Sequence, residues 1–170
     1  FEMGRHIIGY EVQKILSAID WFEKQQDISD NPLPVGIIGY GEGGLLALYS
    51  SAIDDRIQAT MVSGYFQQRN LLWREPIYRN VWGLLTEFGD AELAGLIAPR
   101  PLIIETSEAP SSNQPTSSNR KNSAAPGTIE TASLASVLTE VSKARKTFKH
   151  LNVPDQLKLI TNGTETGPPG

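Results

Sequence analysis

The sequence predicts an α/β protein built on a mostly parallel, doubly wound sheet. Three observations carry that expectation. Short apolar runs of strand length recur at Val35–Ile38, Ile57–Val62, Leu102–Ile104 and Leu157–Ile160. Stretches with helical periodicity lie between and around them, and such alternation of helix and strand is the pattern of parallel sheets. A glycine-rich turn, Gly39-Tyr40-Gly41-Glu42-Gly43-Gly44, joins the first run to a helix.

The elements follow in order. From Ile8, the apolar residues Val12, Ile15, Leu16, Ile19 and Phe22 fall at helical spacing, with Glu11, Lys14, Asp20, Glu23 and Lys24 largely on the other side. This is an amphipathic helix expected to pack on a sheet. Asp27 to Pro34 is polar and holds two prolines, which end the helix and make a loop. Val35 to Ile38 is a buried strand. After Gly44, Leu45 to Tyr49 form a helix apolar on most sides, which ends before Asp54-Asp55-Arg56 and requires neighbours to cover it. Ile57 to Val62 is the second strand. Leu102 to Ile104 is the third, introduced by Pro99-Arg100-Pro101, with Arg100 expected to anchor that loop by hydrogen bonds. A helix over Leu134 to His150 precedes the fourth strand, Leu157 to Ile160.

Two segments break the regularity. Gly64 to Gly95 carries Tyr65, Phe66, Trp73, Tyr78, Trp82 and Phe88 and is too long for a simple strand-to-helix connection. It predicts short helices over the strand ends, where ligands bind in such folds. Core and lid packing is favoured over a sugar platform for these aromatics. Residues 107–128, rich in Ser, Pro, Asn and Gly, read as a flexible insertion.

Bulk composition narrows the function classes. The 170 residues carry a formal charge of −4, with 15 basic and 19 acidic side chains and no long run of either sign. Nothing in that distribution suits nucleic acid. The absence of cysteine removes disulfides, thiolate metal sites and a cysteine nucleophile. His6 and His150 are far apart in sequence and read as surface or capping residues, so no metal or other cofactor is expected. No apolar stretch approaches the roughly 18 residues of a membrane span. The composition assigns no compartment, and the chain opens on Phe1 rather than Met.

The glycine-rich turn carries the chemistry. A nucleophile elbow has the form G-x-S-x-G, with serine on a strained strand-to-helix turn. Gly39 and Gly43 fit its outer positions, and Gly41 stands in the serine position, where it has no side chain to attack with. Glu42 lies at the helix start, where a carboxylate can serve as base or nucleophile. The favoured reading of Glu42 is structural, because an acidic residue in the first turn suits the helix dipole. Gly39, Gly41 and Gly44 also match G-x-G-x-x-G, but Thr60 and Met61 stand where a ribose-binding acid belongs, so a nucleotide site is disfavoured. Asn162-Gly163-Thr164 matches a glycosylation sequon, a short pattern that arises often by chance.

With those segments in place, the chain resembles an α/β-hydrolase of the dienelactone-hydrolase and acetyl-xylan-esterase-like branch. Gly39 to Gly44 looks like that family's elbow, Asp54-Asp55-Arg56-Ile57 like the turn after the elbow helix, and the run Asp90 to Leu102 like its approach to the strand before the catalytic acid. The likeness covers roughly Gly4 to Glu105, with Leu134 to Ile160 fitting the final helix and strand. It implies a single domain over residues 1–170 that lacks the first strands, so that an upstream part of the same protein completes it. It also implies hydrolysis of a carboxylic ester or an acylated carbohydrate. By the same resemblance the acid follows the third strand, where Glu105 is better placed than Glu108. The nucleophile slot is Gly41, which Ser50, Ser51 and Ser63 do not share, and the histidine belongs after the last strand, where Thr161 to Gly170 has none. A non-catalytic relative that keeps a pocket for binding, or a structural domain of a larger protein, is the alternative.

Overall fold

The computed structural model of the chain describes residues 5–26, 33–113 and 127–161. In chain order the elements are α1 (Ile7–Gln26), β1 (Val35–Tyr40), α2 (Glu42–Ile53), β2 (Ile57–Ser63), α3 (Leu84–Glu87), α4 (Asp90–Ile97), β3 (Leu102–Glu105), β4 (Ser112–Asn113), β5 (Thr128–Ile129), α5 (Leu134–His150) and β6 (Leu157–Ile160). The strands β1, β2, β3 and β6 form one sheet in that order, each pair parallel. Parallel neighbours cannot be joined by hairpins and need crossovers. Here α2, α4 and α5 lie in those crossovers, so the expected α/β class with a parallel sheet is present.

One core holds the layers together. It unites Leu45 and Leu48 of α2, Val62 of β2, Leu102 and Ile104 of β3, Ala94 and Ile97 of α4, Val137, Val141 and Phe148 of α5, and Leu157 of β6. Full burial of a large apolar side chain contributes about 1.5–3 kcal/mol. α2 packs on β1 and β2 and then on α4, which packs on α5. α1 rests mainly on α2 and on a 3-10 turn at Ile77–Arg79, joining the core through Ile8 and Val12 rather than by broad contact with the sheet. No described helix is long and apolar enough to cross a membrane.

Polar contacts fix the connections. Arg100 donates to the carbonyls of Ser51, Asp54 and Ile57, so it anchors the turn after α2 as well as its own loop. Arg56 joins Asp54 at 2.6 Å and reaches Asp20 and Glu23 of α1. Between β2 and α4 the chain forms 3-10 turns at Leu72–Arg74 and Ile77–Arg79 and then α3, the short helices expected there. Of residues 107–128, expected as one flexible insertion, the described ends pair: Ser112–Asn113 and Thr128–Ile129 make a two-residue antiparallel ladder. Residues 114–126 lie outside the described residues.

The face of the sheet opposite the core is open among the described residues. Ile38 is 76% exposed and shares a register row with Met61 and Ile103. Tyr40, Ser63 and Glu105 form the next row, at the carboxyl ends of three consecutive strands.

Candidate functional site

Tight packing shapes the turn between β1 and α2. A Cβ on Gly39 would lie 1.9 Å from the Gly43 carbonyl oxygen, and one on Gly44 would lie 3.0 Å from both the Ser63 carbonyl oxygen and Tyr65 Cβ. Gly41 holds φ +56° and ψ −117°, a backbone conformation that favours glycine. Its amide donates to the Ser63 carbonyl at 2.9 Å, fastening the turn to β2. Packing and backbone conformation therefore account for Gly39, Gly41 and Gly44 without a bound phosphate. The turn has the abrupt strand-to-helix geometry of a nucleophile elbow, with no side chain at its apex.

What faces that apex is Pro110. A Cβ added to Gly41 would meet Pro110 Cδ at 3.1 Å, closer than ordinary van der Waals contact. The segment after β3 therefore comes down over the position a nucleophile would occupy.

Glu42, the first residue of α2, is turned toward the segment after β2. Its Oε1 accepts from Tyr78 Oη at 2.6 Å and from Arg79 Nε at 2.8 Å, and Arg79 Nη2 stands 2.7 Å away. Partial burial, with the hydrogen bond to Glu42 added, pushes the Tyr78 phenol up to about 12. Arg79 also pairs with Glu75, Glu75 with Arg69, and Arg69 with the buried Asp90 at the start of α4. Burial raises the Asp90 carboxyl, while Arg69 works to lower it. Arg69 also lies over the Tyr65 ring, 3.8 Å from its centroid. A relay of alternating charges thus runs from the elbow to α4.

Glu105 ends β3 and lies beside Ser63, which ends β2. Ser63 Oγ is 2.6 Å from Glu105 Oε2 and 2.7 Å from Ser107 Oγ. Tyr40 Oη donates to the Glu108 carbonyl above them. Of the three residues singled out in sequence, Gly41 and Glu42 are adjacent in the turn, whereas Glu105 comes near it through the strand register. Ser63 lies outside the turn, so the elbow pattern gives it no role. The signal for it is its place as the last residue of the strand next to β1, which brings it opposite Tyr40 and Glu105.

The histidines are elsewhere. His6 Nδ1 accepts from the Ile8 amide at the start of α1, and His150 closes α5. Residues 162–170, including the sequon at Asn162 and nearly all of the stretch after β6, lie outside the described residues. No group of three or more His, Asp or Glu able to hold a metal occurs among the described residues. A cavity of about 700 Å³ lies between the segment after β2 and the one leading into α5, with Glu75 in its wall but no residue of the elbow and not Glu105.

Chemically, the arrangement offers two things near the turn. The first amides of a helix have no intrahelical acceptor, and in an elbow the residue after the apex, here Glu42, points its N–H at a developing oxyanion. Glu105 offers a carboxylate held by a hydroxyl.

No family model matches the chain. It is 33% identical over 105 residues to a Bacillus subtilis protein provisionally named hydrolase YtaP, an alignment covering 58% of this chain and 34% of that protein. Among solved structures it is similar to a provisionally assigned acetyl xylan esterase from Bacteroides fragilis, with TM-score 0.61 and 14% identity over 95% of this chain and 40% of that one. It is also similar to a carbohydrate esterase family 15 glucuronoyl esterase from Caldicellulosiruptor kristjansonii, with TM-score 0.57 and 15% identity over 91% of this chain and 44% of that one. A promiscuous esterase of the same family from a marine bacterial metagenome gives TM-score 0.55 and 17% identity, over 94% and 44%. The chain has the fold of these α/β-hydrolase esterases. It spans about a third of the length of the curated relative and less than half of each of these structures.

Proposed function

We propose that this chain is the elbow-bearing part of an esterase-type α/β-hydrolase acting on carboxylic esters, with acylated carbohydrate as the substrate class. The observation that carries the proposal is the Gly41 turn, which keeps the elbow conformation and presents the start of α2 at the carboxyl end of the sheet. The fold shared with carbohydrate esterases supports the same substrate class.

With glycine at the apex and Pro110 standing over it, the attacking oxygen comes from a water on the Glu105 side of the turn, and Pro110 must move aside for the ester to reach the Glu42 amide. Glu105 takes one proton from that water as its oxygen bonds to the ester carbonyl carbon, and the carbonyl oxygen becomes an oxyanion beside the Glu42 amide. Collapse breaks the bond to the alkoxide, which takes the proton from Glu105, leaving a carboxylic acid and an alcohol. Glu42 itself is held by Arg79 and Tyr78, so its side chain braces the turn.

The test is turnover of p-nitrophenyl acetate by the protein. Loss of a general base costs typically 10²–10⁴-fold, so Glu105→Gln is expected to lower turnover by roughly that factor. Fluorophosphonate treatment is expected to leave the unmodified protein active, because no serine stands at the elbow apex. No turnover, or turnover indifferent to Glu105→Gln, would overturn the proposal and leave the fold with a binding role.

A further inference from the structure

The segment after β3 has a firm root and a light far end. At the root, Thr106 donates both its amide and its hydroxyl to the Ile160 carbonyl of β6, and Ser107 Oγ lies 2.7 Å from Ser63 Oγ. At the far end Ser112–Asn113 is paired with Thr128–Ile129, a ladder too short to be stable alone. Between the two, Pro110 is exposed while Gly41 beneath it is buried. A nucleophile elbow works by exposing its apex, and this one is covered.

A pair of hydroxyls holds the cover down. Tyr40, the residue before the apex, donates its Oη hydrogen to the Glu108 carbonyl. Thr131 Oγ1, on the segment that leads into α5, accepts from the Ala109 amide at 3.1 Å and donates to the Ala109 carbonyl at 3.4 Å. Among the described residues, no backbone group bonds to the backbone of Glu108 or Ala109. The Thr131 side is braced by contacts of its own. A Cβ on Gly127 would lie 2.6 Å from Pro76 Cα, and the Gln68 amide donates to Ser136 Oγ at 3.0 Å. The bonds that hold the cover lie outside the ladder of the main sheet, so it can lift without unpairing β1, β2, β3 or β6.

We propose that Glu108–Pro110 is a strap that alternates between this closed position and a raised one, with Tyr40 and Thr131 as its latches, and that the raised fraction sets how often an ester reaches the elbow. The proposal rests on the esterase function above for what enters, and on the contacts of the strap alone for the movement. A site competent only in a minor state works at a rate reduced by that state's fraction. A hydrogen bond of this kind shifts an equilibrium by about two- to tenfold. Loosening a latch therefore speeds the reaction, the reverse of what damage to a working site would do.

Turnover of p-nitrophenyl acetate by the unmodified protein, Tyr40→Phe, Thr131→Val and the double variant tests this, with amide hydrogen exchange followed by NMR in each. kcat/KM is expected to rise about two- to tenfold in each single variant and by about the product of the two in the double. In Tyr40→Phe the Ala109 amide, which bonds to Thr131 and not to Tyr40, is expected to exchange faster by a similar factor, while the Val62 and Ile104 amides of the sheet keep their rates. Thermal melts show whether each variant is folded. Exchange at Ala109 that Tyr40→Phe leaves unmoved overturns the proposal, as does turnover that neither folded single variant raises. Faster exchange in a protein that never turns over the ester sinks the esterase function alone, and turnover indifferent to both latches sinks the strap alone.

Discussion

Gly39 and Gly43 stand four residues apart and obey opposite constraints. A methyl group on Gly39 would overlap the Gly43 carbonyl at 1.9 Å, and the obstacle is backbone that cannot swing away. Gly43 has open space around its own Cβ position and lies inside α2, where glycine costs roughly 0.5–1 kcal/mol relative to alanine. Gly39→Ala is therefore expected to yield no folded protein, while Gly43→Ala raises the melting temperature. Thermal denaturation of the pair checks both, and a tolerated Gly39→Ala would refute the packing argument. The sequence shows these glycines but not their difference. A pattern such as G-x-S-x-G treats them alike, and only the distance from strand to helix separates one that is required from one that is replaceable.

At the scale of elements, the charge relay clamps the segment after β2 between α2 and α4. Arg69 and Asp90 are both buried, and their pairing at 2.8 Å is backed by the Gln67 amide. Replacing Arg69 by Met would leave Asp90 buried with its principal partner gone, a loss of about 3–5 kcal/mol. Urea denaturation is expected to show that loss, and a change below ~1 kcal/mol would mean that the relay is energetically idle. The strands of the main sheet were legible as continuous apolar runs, the pattern of parallel strands covered on both faces, although among the described residues only the core face is covered and Ile38 and Tyr40 are exposed. α2 begins at Glu42 rather than after Gly44, since the elbow requires helix immediately beyond its apex even through two glycines. The relay was not legible: its five members are spread from Glu42 to Asp90, and nothing in local periodicity links them.

For the molecule as a whole, the helical layer and core occupy one side of the sheet, and the other side leaves Ile38 and Tyr40 exposed. β1 also has an unpaired edge among the described residues. A free strand edge flanked by apolar surface is a template for association. This chain alone is expected to self-associate as its concentration rises, and Ile38→Lys to suppress that without lowering the melting temperature. Sedimentation velocity separates the outcomes, and a monomeric unmodified chain at high concentration would contradict the expectation. The fold class could be read from the order of apolar runs, which alternate with helices over most of the chain. The cavity could not, because its two walls, around Gln67–Glu75 and Gly127–Ser136, lie far apart in sequence and meet only through tertiary packing.

The approach of Pro110 to Gly41 has a consequence for how this elbow could change over time. A serine at 41 would need φ +56°, a conformation costly for a residue with a Cβ, and would push that Cβ against Pro110 Cδ. The two positions are therefore coupled, and their substitutions need not add. The order of events matters. Relaxing position 110 first opens room for a hydroxyl, whereas changing position 41 first meets a closed space, so a nucleophile arises here more readily by one mutational path than by the other.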